Sequence, residues 1–95
     1  MNYIFPAIFE KEDQFYNVSF PDLKGCLTFG EGEQEAYQMA ADALATMIEG
    51  SYLDRGIELP KASSIRQIPV PKDGFVSLVT AKYILNEENS NAAED

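Results

Sequence analysis

The sequence predicts an α+β fold in two layers: a three-stranded antiparallel meander, one helix laid across it, and a fourth strand (β-β-β-α-β). Three observations predict it. Residues 3–29 hold three short runs rich in aromatic and β-branched residues, separated by turn chemistry. From Glu33 to Leu53 the apolar residues change to helical spacing. A last β-rich run, Phe75–Ala81, follows a connection that carries Pro60, Pro69 and Pro71.

Tyr3-Ile4-Phe5-Pro6-Ala7-Ile8-Phe9 reads as the first strand. Pro6 cannot donate to a ladder, so the strand is either an edge or turns position 6 away from its neighbour. Glu10–Gln14 is a polar hairpin connection, and residues 15–20 return as a second strand. Tyr16, Val18 and Phe20 fall on one face, with Asn17 and Ser19 on the other, the period of a half-buried strand. Phe15 points opposite to Tyr16. Pro21-Asp22-Leu23-Lys24-Gly25 is a turn: proline pre-sets φ, Asp22 can bond nearby backbone and Gly25 can take positive φ. Cys26–Phe29 is a short third strand.

The helical stripe consists of Ala36, Ala40, Ala43, Leu44, Met47, Ile48 and Tyr52, flanked by Tyr37 and Ala41. Gly32 is the expected N-cap. Glu31, Glu33 and Glu35 complement the helix dipole at that end. Gly50 marks a kink, a close contact or a frayed last turn, and Gly56 is the natural stop. The connection over residues 57–74 is long for a compact domain unless anchored or functional. A helical turn at Ser63–Gln67 and anchors at Ile65 and Ile68 are expected. Phe75–Ala81 forms the fourth strand, extending through Tyr83. Residues 1–85 make one domain, and residues 86–95 an acidic, disordered tail.

Composition bounds the function. The chain has 95 residues, enough for one domain, with 16 acidic and 7 basic residues, a formal charge of −9, no histidine and one cysteine. Without histidine it lacks the commonest general base and the commonest transition-metal ligand. One cysteine makes neither an internal disulfide nor a cysteine-rich zinc site. The acidic balance argues against a nucleic-acid backbone and against an anionic membrane as direct partners. A basic protein is the more natural one. The N-terminus has no basic region and no long apolar run, so it does not read as a signal peptide, and a cytoplasmic location is expected.

Several residue sets are candidates for chemistry. Glu10, Asp22 and Glu31 could flank a metal, but a solvated acidic surface explains them more simply. Cys26 has no histidine to activate it and reads as a small core residue. Met47, and less so Met39, read as core filling rather than a ligand face. Gly25, Gly30 and Gly32 lack the spacing and the basic residue of a phosphate loop. Lys61, Arg66 and Lys72 are too few for a nucleic-acid site in an acidic chain. No cofactor and no catalytic residue is expected.

At residues 20–36 the chain reads Phe-Pro-Asp-Leu-Lys-Gly-Cys-Leu-Thr-Phe-Gly-Glu-Gly-Glu-Gln-Glu-Ala. This resembles the F-P-D-L-P-G-C-x-T-x-G-[DE]-[TS]-x-x-E-A pattern of HicB-type antitoxins. The hairpin of residues 3–9 and 15–20, and Ile57–Ser63, are also similar to that family, so the resemblance spans about residues 3–81. Gly32 stands where the family has threonine or serine. The resemblance implies a partial RNase H-like fold without nuclease activity. It also implies a partner, a small basic HicA-like toxin that cleaves mRNA and whose active site the antitoxin covers.

Typical members of the family continue into a ribbon-helix-helix or helix-turn-helix domain. Here no basic helix follows the fourth strand, so no direct nucleic-acid binding by this chain is expected; the sequence is either a piece of a longer chain or a single-domain member. Toxin contacts are expected from exposed aromatics and acids near the first hairpin and the helix start: Phe15, Asp22, Glu31 and Glu33. Two other functions stay open on the residues alone. One is a stand-alone homo-oligomeric regulator or ligand sensor joined by strand addition at residues 75–83; the other, a metal-dependent nuclease. Besides the toxin, a second copy of the chain is an expected partner, in a homo-oligomer.

Overall fold

The computed structural model describes residues 2–82, and the side chains of residues 3–81. The expected acidic tail, residues 86–95, lies outside the described residues. Strands β1 (Asn2–Glu12), β2 (Phe15–Ser19), β3 (Leu27–Glu31) and β4 (Gly74–Lys82) form one antiparallel sheet in the order β3-β2-β1-β4. Helix α1 (Gly32–Met47) lies across one face. The β-β-β-α-β reading is borne out, including the return of the chain to a fourth strand.

Register determines the two faces. Phe9 pairs with Val18 and with Phe75, and Phe5 with Val79. Phe5, Ala7, Phe9, Val18, Phe20, Val79 and Ala81 are buried beneath Ala36, Ala40, Leu44 and Ile48, with Phe75 partly buried against them. Phe9 stacks on Phe75 at 4.7 Å between ring centroids, and more loosely on Tyr37 at 6.5 Å. Full burial of such a ring contributes about 1.5–3 kcal/mol, and stacking adds about 0.5–1.5 kcal/mol.

Pro6 lies in a central strand. It escapes the ladder because β1–β2 pairing begins only at Ile8–Ser19, while Lys11 N–H donates to Asp73 C=O in register with β4. Bonded pairs alternate along an antiparallel ladder. The odd positions of β1 therefore bond β4, and the missing N–H of Pro6 is turned the other way.

Several boundaries differ from the expectations, each for a local reason. β1 runs on to Glu12, so the hairpin turn shrinks to Asp13-Gln14, with Asp13 at φ 59°. Cys26 precedes β3, and its C=O accepts from Phe20 N–H at the hairpin mouth. Glu31 rather than Gly32 is the N-cap of α1. Gly32 has φ 80°, a left-handed turn residue out of the strand, which explains glycine there better than capping does. No side chain caps the helix, but the Glu35 carboxylate accepts from Glu31 N–H at 3.1 Å. Beyond Met47 the helix widens into a π-type turn, Ile48–Leu53, that contains Gly50; Asp54 N–H donates to Glu49 C=O and Ile57 N–H to Tyr52 C=O. Gly56, at φ 68°, ends it.

The long connection is anchored at both sides of β1. Ser63 gives its N–H (2.8 Å) and hydroxyl (2.6 Å) to the two carboxylate oxygens of Asp22. The following 3-10 turn, Ile65–Gln67, is closed by a capping box between Ser64 and Gln67 and touches β4. The segment therefore spans β1 near Pro6, whose side chain is fully buried on the face opposite α1. Of the two expected anchors, Ile68 is buried whereas Ile65 is exposed and does not anchor the segment.

The edge of β4 carries a plug. Leu78 pairs with Pro6 and Thr80 with Ile4, positions whose backbone groups face the open edge. There the Tyr37 hydroxyl donates to Leu78 C=O and accepts from Thr80 N–H, each at 3.4 Å. One side-chain oxygen takes the place that a residue of a further strand would occupy, which blunts an edge otherwise prone to pairing. In Tyr37→Phe the ring stays over Phe9 while the plug is lost. Amide exchange at Thr80 is expected to rise about fivefold, with global stability changed by less than about 1 kcal/mol. Unchanged exchange at Thr80 in an NMR measurement contradicts the plug.

Candidate functional site: the open face of the sheet

Side chains of the opposite parity to the core face away from α1. On the β2–β3 half these are Phe15, Asn17, Ser19, Leu27, Phe29 and Glu31, with Glu10 and Glu12 from β1. Leu27 is 69% exposed and Phe29 57% exposed, a large apolar surface for two adjacent side chains of one strand. Phe15 meets Phe29 edge-on at 6.1 Å. Asn17 donates to the Glu12 carboxylate at 2.9 Å. A shallow groove of about 450 Å³ runs over this half, between Glu10, Asn17 and Ser19 on one side and Leu27 and Phe29 on the other.

The reason for exposure is visible on the reverse side. Thr28 and Gly30 are the residues of β3 that face α1, and Gly30 allows the first turn of the helix to touch the strand. A Cβ at Gly30 would stand 2.7 Å from the Ala36 Cα and N. With its small residues turned inward, β3 turns its large ones outward.

The sheet end beside this patch is acidic. The β1–β2 hairpin contributes Glu10, Glu12 and Asp13, the end of β3 Glu31, and the start of α1 Glu33 and Glu35. Lys11 is the one opposing charge within these three stretches. Tyr16 donates its hydroxyl to the Glu33 carboxylate at 3.4 Å.

The four residues expected at the site do not all meet. Phe15 and Glu31 are cross-strand partners, and Glu33 lies two residues beyond Glu31. Asp22 sits in the β2–β3 turn at the other end of the sheet, with both carboxylate oxygens engaged by Ser63. There it anchors the loop that carries Ser63. Leu27 and Phe29 belong to the patch and were not among the expected residues. Their signal was the alternation of β3, where large residues at 27 and 29 flank the small Thr28 and Gly30.

The three carboxylates weighed as a metal set are dispersed. Glu10 is on β1, Glu31 ends β3, and Asp22 is held at the far turn. Among the described residues no group of three or more His, Cys, Asp or Glu side chains is placed to hold a metal ion. Cys26 is 2% exposed and its Sγ approaches Ala43 C=O at 3.7 Å. Burial pushes its thiol up from 9.0 to about 11. The native state thus keeps its proton where the unfolded chain loses it: this stabilisation is complete below pH 9 and is lost as pH rises toward 11. At pH 8, alkylation of the native thiol by iodoacetamide is expected to be at least about tenfold slower than that of the urea-unfolded chain; equal rates contradict the burial.

The sequence pattern of the HicB-like antitoxins of bacterial toxin-antitoxin systems matches residues 5–86. The chain belongs to that family. Antitoxin HicB 2 of Photorhabdus laumondii is 32% identical over 92 residues, which cover 96% of this chain and 66% of the relative. An uncharacterized 14.9 kDa protein of Haemophilus phage HP1 is 38% identical over 79 residues, 80% of this chain and 59% of the phage protein. This HicB-like chain thus spans about three-fifths to two-thirds of the length of these curated relatives.

Solved structures agree on the fold. A chain of a toxin-antitoxin complex from Streptococcus pneumoniae superposes with a TM-score of 0.79 at 24% identity, covering 90% of this chain and 73% of that one. The N-terminal domain of the Burkholderia pseudomallei antitoxin HicB gives 0.69 at 20% identity, covering 84% and 99%. The HicB-like fold expected from residues 3–81 is therefore the fold observed. No described helix is long and apolar enough to cross a membrane.

Proposed function

We propose that this HicB-like domain is a non-enzymatic antitoxin that binds a small basic, mRNA-cleaving toxin of the HicA type and covers its active site with the open face of the sheet. The observation that carries the proposal is an exposed apolar patch, Phe15, Leu27 and Phe29, beside an acidic sheet end. Aromatic residues at the centre of an interface supply affinity, while surrounding acids steer a basic partner and set its orientation. The chain's charge of −9 favours rapid encounter with such a partner.

Phe15, Glu31 and Glu33 keep their expected part in the contact, joined by Leu27 and Phe29; Asp22 acts through the loop it anchors. Neutralisation needs no chemistry from this chain, and the buried, protonated Cys26 supplies none. A reducing cytoplasm suits a chain whose single thiol is buried and free.

The test is calorimetry of this chain with a purified HicA-type toxin at moderate salt, paired with an RNA-cleavage assay. A stoichiometric complex that suppresses cleavage is expected. The absence of binding to the cognate toxin overturns the proposal.

A further inference from the structure

The two edges of the sheet are finished differently, and the register shows where. Gly32 N–H donates to Gln14 C=O at 2.9 Å, and Phe20 N–H to Cys26 C=O at 3.3 Å; both pairs continue the β2–β3 register in each direction. Bonded pairs recur at every second residue of an antiparallel ladder. Tyr16–Gly30 and Val18–Thr28 are therefore the bonded pairs. Leu27, Phe29 and Glu31 turn their N–H and C=O groups outward. Glu35 takes the N–H of Glu31, and on the opposite edge Tyr37 takes the middle of β4. Among the described residues nothing takes the outward N–H or C=O of Leu27 or of Phe29.

We propose that this stretch of the β3 edge is a strand-addition site, and that its occupant is an extended segment of the basic toxin. The inference rests on the antitoxin reading and adds the mode of recognition to it. An added strand sends alternate side chains to opposite faces, and apolar surface waits on each. On the open face it is the exposed outer flank of Leu27 and Phe29. On the α1 face it is a groove of about 510 Å³ between β3 and α1, lined by Thr28, Met39, Asp42, Ala43 and Met47. Met39 is 40% exposed, an adaptable side chain suited to a partner's apolar residue. Charge selects the occupant. The strand would run alongside Glu31, with Glu33, Glu35 and the hairpin acids beyond, so its residues at that end must be cationic. A second copy of this acidic chain would meet repulsion there.

The experiment compares amide exchange in the free chain and in its complex with a HicA-type toxin, together with affinities for Phe29→Pro and Phe29→Ser. Both variants lose the ring, but only proline removes the outward N–H, which an edge position tolerates. Expected are protection of the Leu27 and Phe29 amides in the complex, and binding by Phe29→Pro at least about tenfold weaker than by Phe29→Ser. Circular dichroism verifies that both variants are folded; should Phe29→Pro unfold, the exchange result alone decides. Binding of the toxin without protection at Leu27 and Phe29 overturns the strand site and leaves the antitoxin reading standing. Concentration-dependent protection of these amides in the free chain assigns the edge to a second copy and overturns the stated occupant. No toxin binding at all removes both proposals.

Discussion

Gly30→Ala is expected to destabilise the domain by about 2–3 kcal/mol, a cost in the upper range for overpacking. The added Cβ meets the Ala36 Cα and N at 2.7 Å and the Glu35 carbonyl carbon at 2.9 Å. All three are backbone atoms of the first turn of α1, which cannot swing aside as a side chain would. Relief requires the whole N-terminal turn to lift off β3, and Ala36 and Ala40, both fully buried, lose their packing with it. A small domain has roughly 5–15 kcal/mol of total stability, so the loss is a large fraction. Gly50→Ala supplies the contrast. Nothing stands within 4 Å of its added Cβ, and the residue lies in the helical extension of α1. There alanine is expected to be neutral or to stabilise by up to about 1 kcal/mol. Urea denaturation of the two variants measures the pair. Equal midpoints contradict the close approach of helix and strand.

The second large effect concerns binding rather than folding. Phe29→Ser is expected to weaken the toxin complex by about 30-fold or more, which corresponds to the 2 kcal/mol threshold of an interface hot spot. The same change leaves folding within about 1 kcal/mol, because the ring is 57% exposed and its one described ring contact is the edge-on meeting with Phe15. The two readouts separate a contact residue from a structural one. Val18→Ala gives the reverse pattern: Val18 is 2% exposed on the opposite face of the adjacent strand, so its loss lowers stability. An unchanged affinity for Phe29→Ser contradicts the placement of the interface.

Much of the architecture was legible because periodicity encodes it. The alternation of Tyr16, Val18 and Phe20 against Asn17 and Ser19, and the helical spacing of Ala36, Ala40, Leu44 and Ile48, determine which residues meet in the core. Pro6 was ambiguous because proline forbids a donor without saying whether the ladder ends or the strand lies at an edge. Only the register, with β1–β2 pairing starting at Ile8, distinguishes these. Gly32 resembles a cap in sequence because composition does not reveal φ; its left-handed backbone shows a turn residue.

The candidate site was legible in part. That Phe15, Glu31 and Glu33 lie close together follows from one hairpin and one helix start. The anchoring bond of Asp22 was not legible because its partner, Ser63, is 41 residues away. No local signal marks a bond across that separation. Leu27 and Phe29 escaped notice for a different reason. An exposed Phe on a strand looks like any core Phe until the opposite face is known to be filled, and Gly30 beneath Ala36 is what fills it. The plug at Tyr37 was equally hidden: the ring fits the apolar stripe, and the hydroxyl acquires meaning only from the outward backbone groups of Leu78 and Thr80.

The central claim, that the sheet face opposite α1 receives a basic toxin, is tested most directly by titrating the isotopically labelled chain with a HicA-type toxin and mapping backbone amide shifts by NMR. The largest changes are expected at Phe15, Asn17, Leu27, Phe29 and Glu31. Changes confined to the solvent side of α1, at Gln34 and Gln38, with the sheet face unmoved, would contradict it.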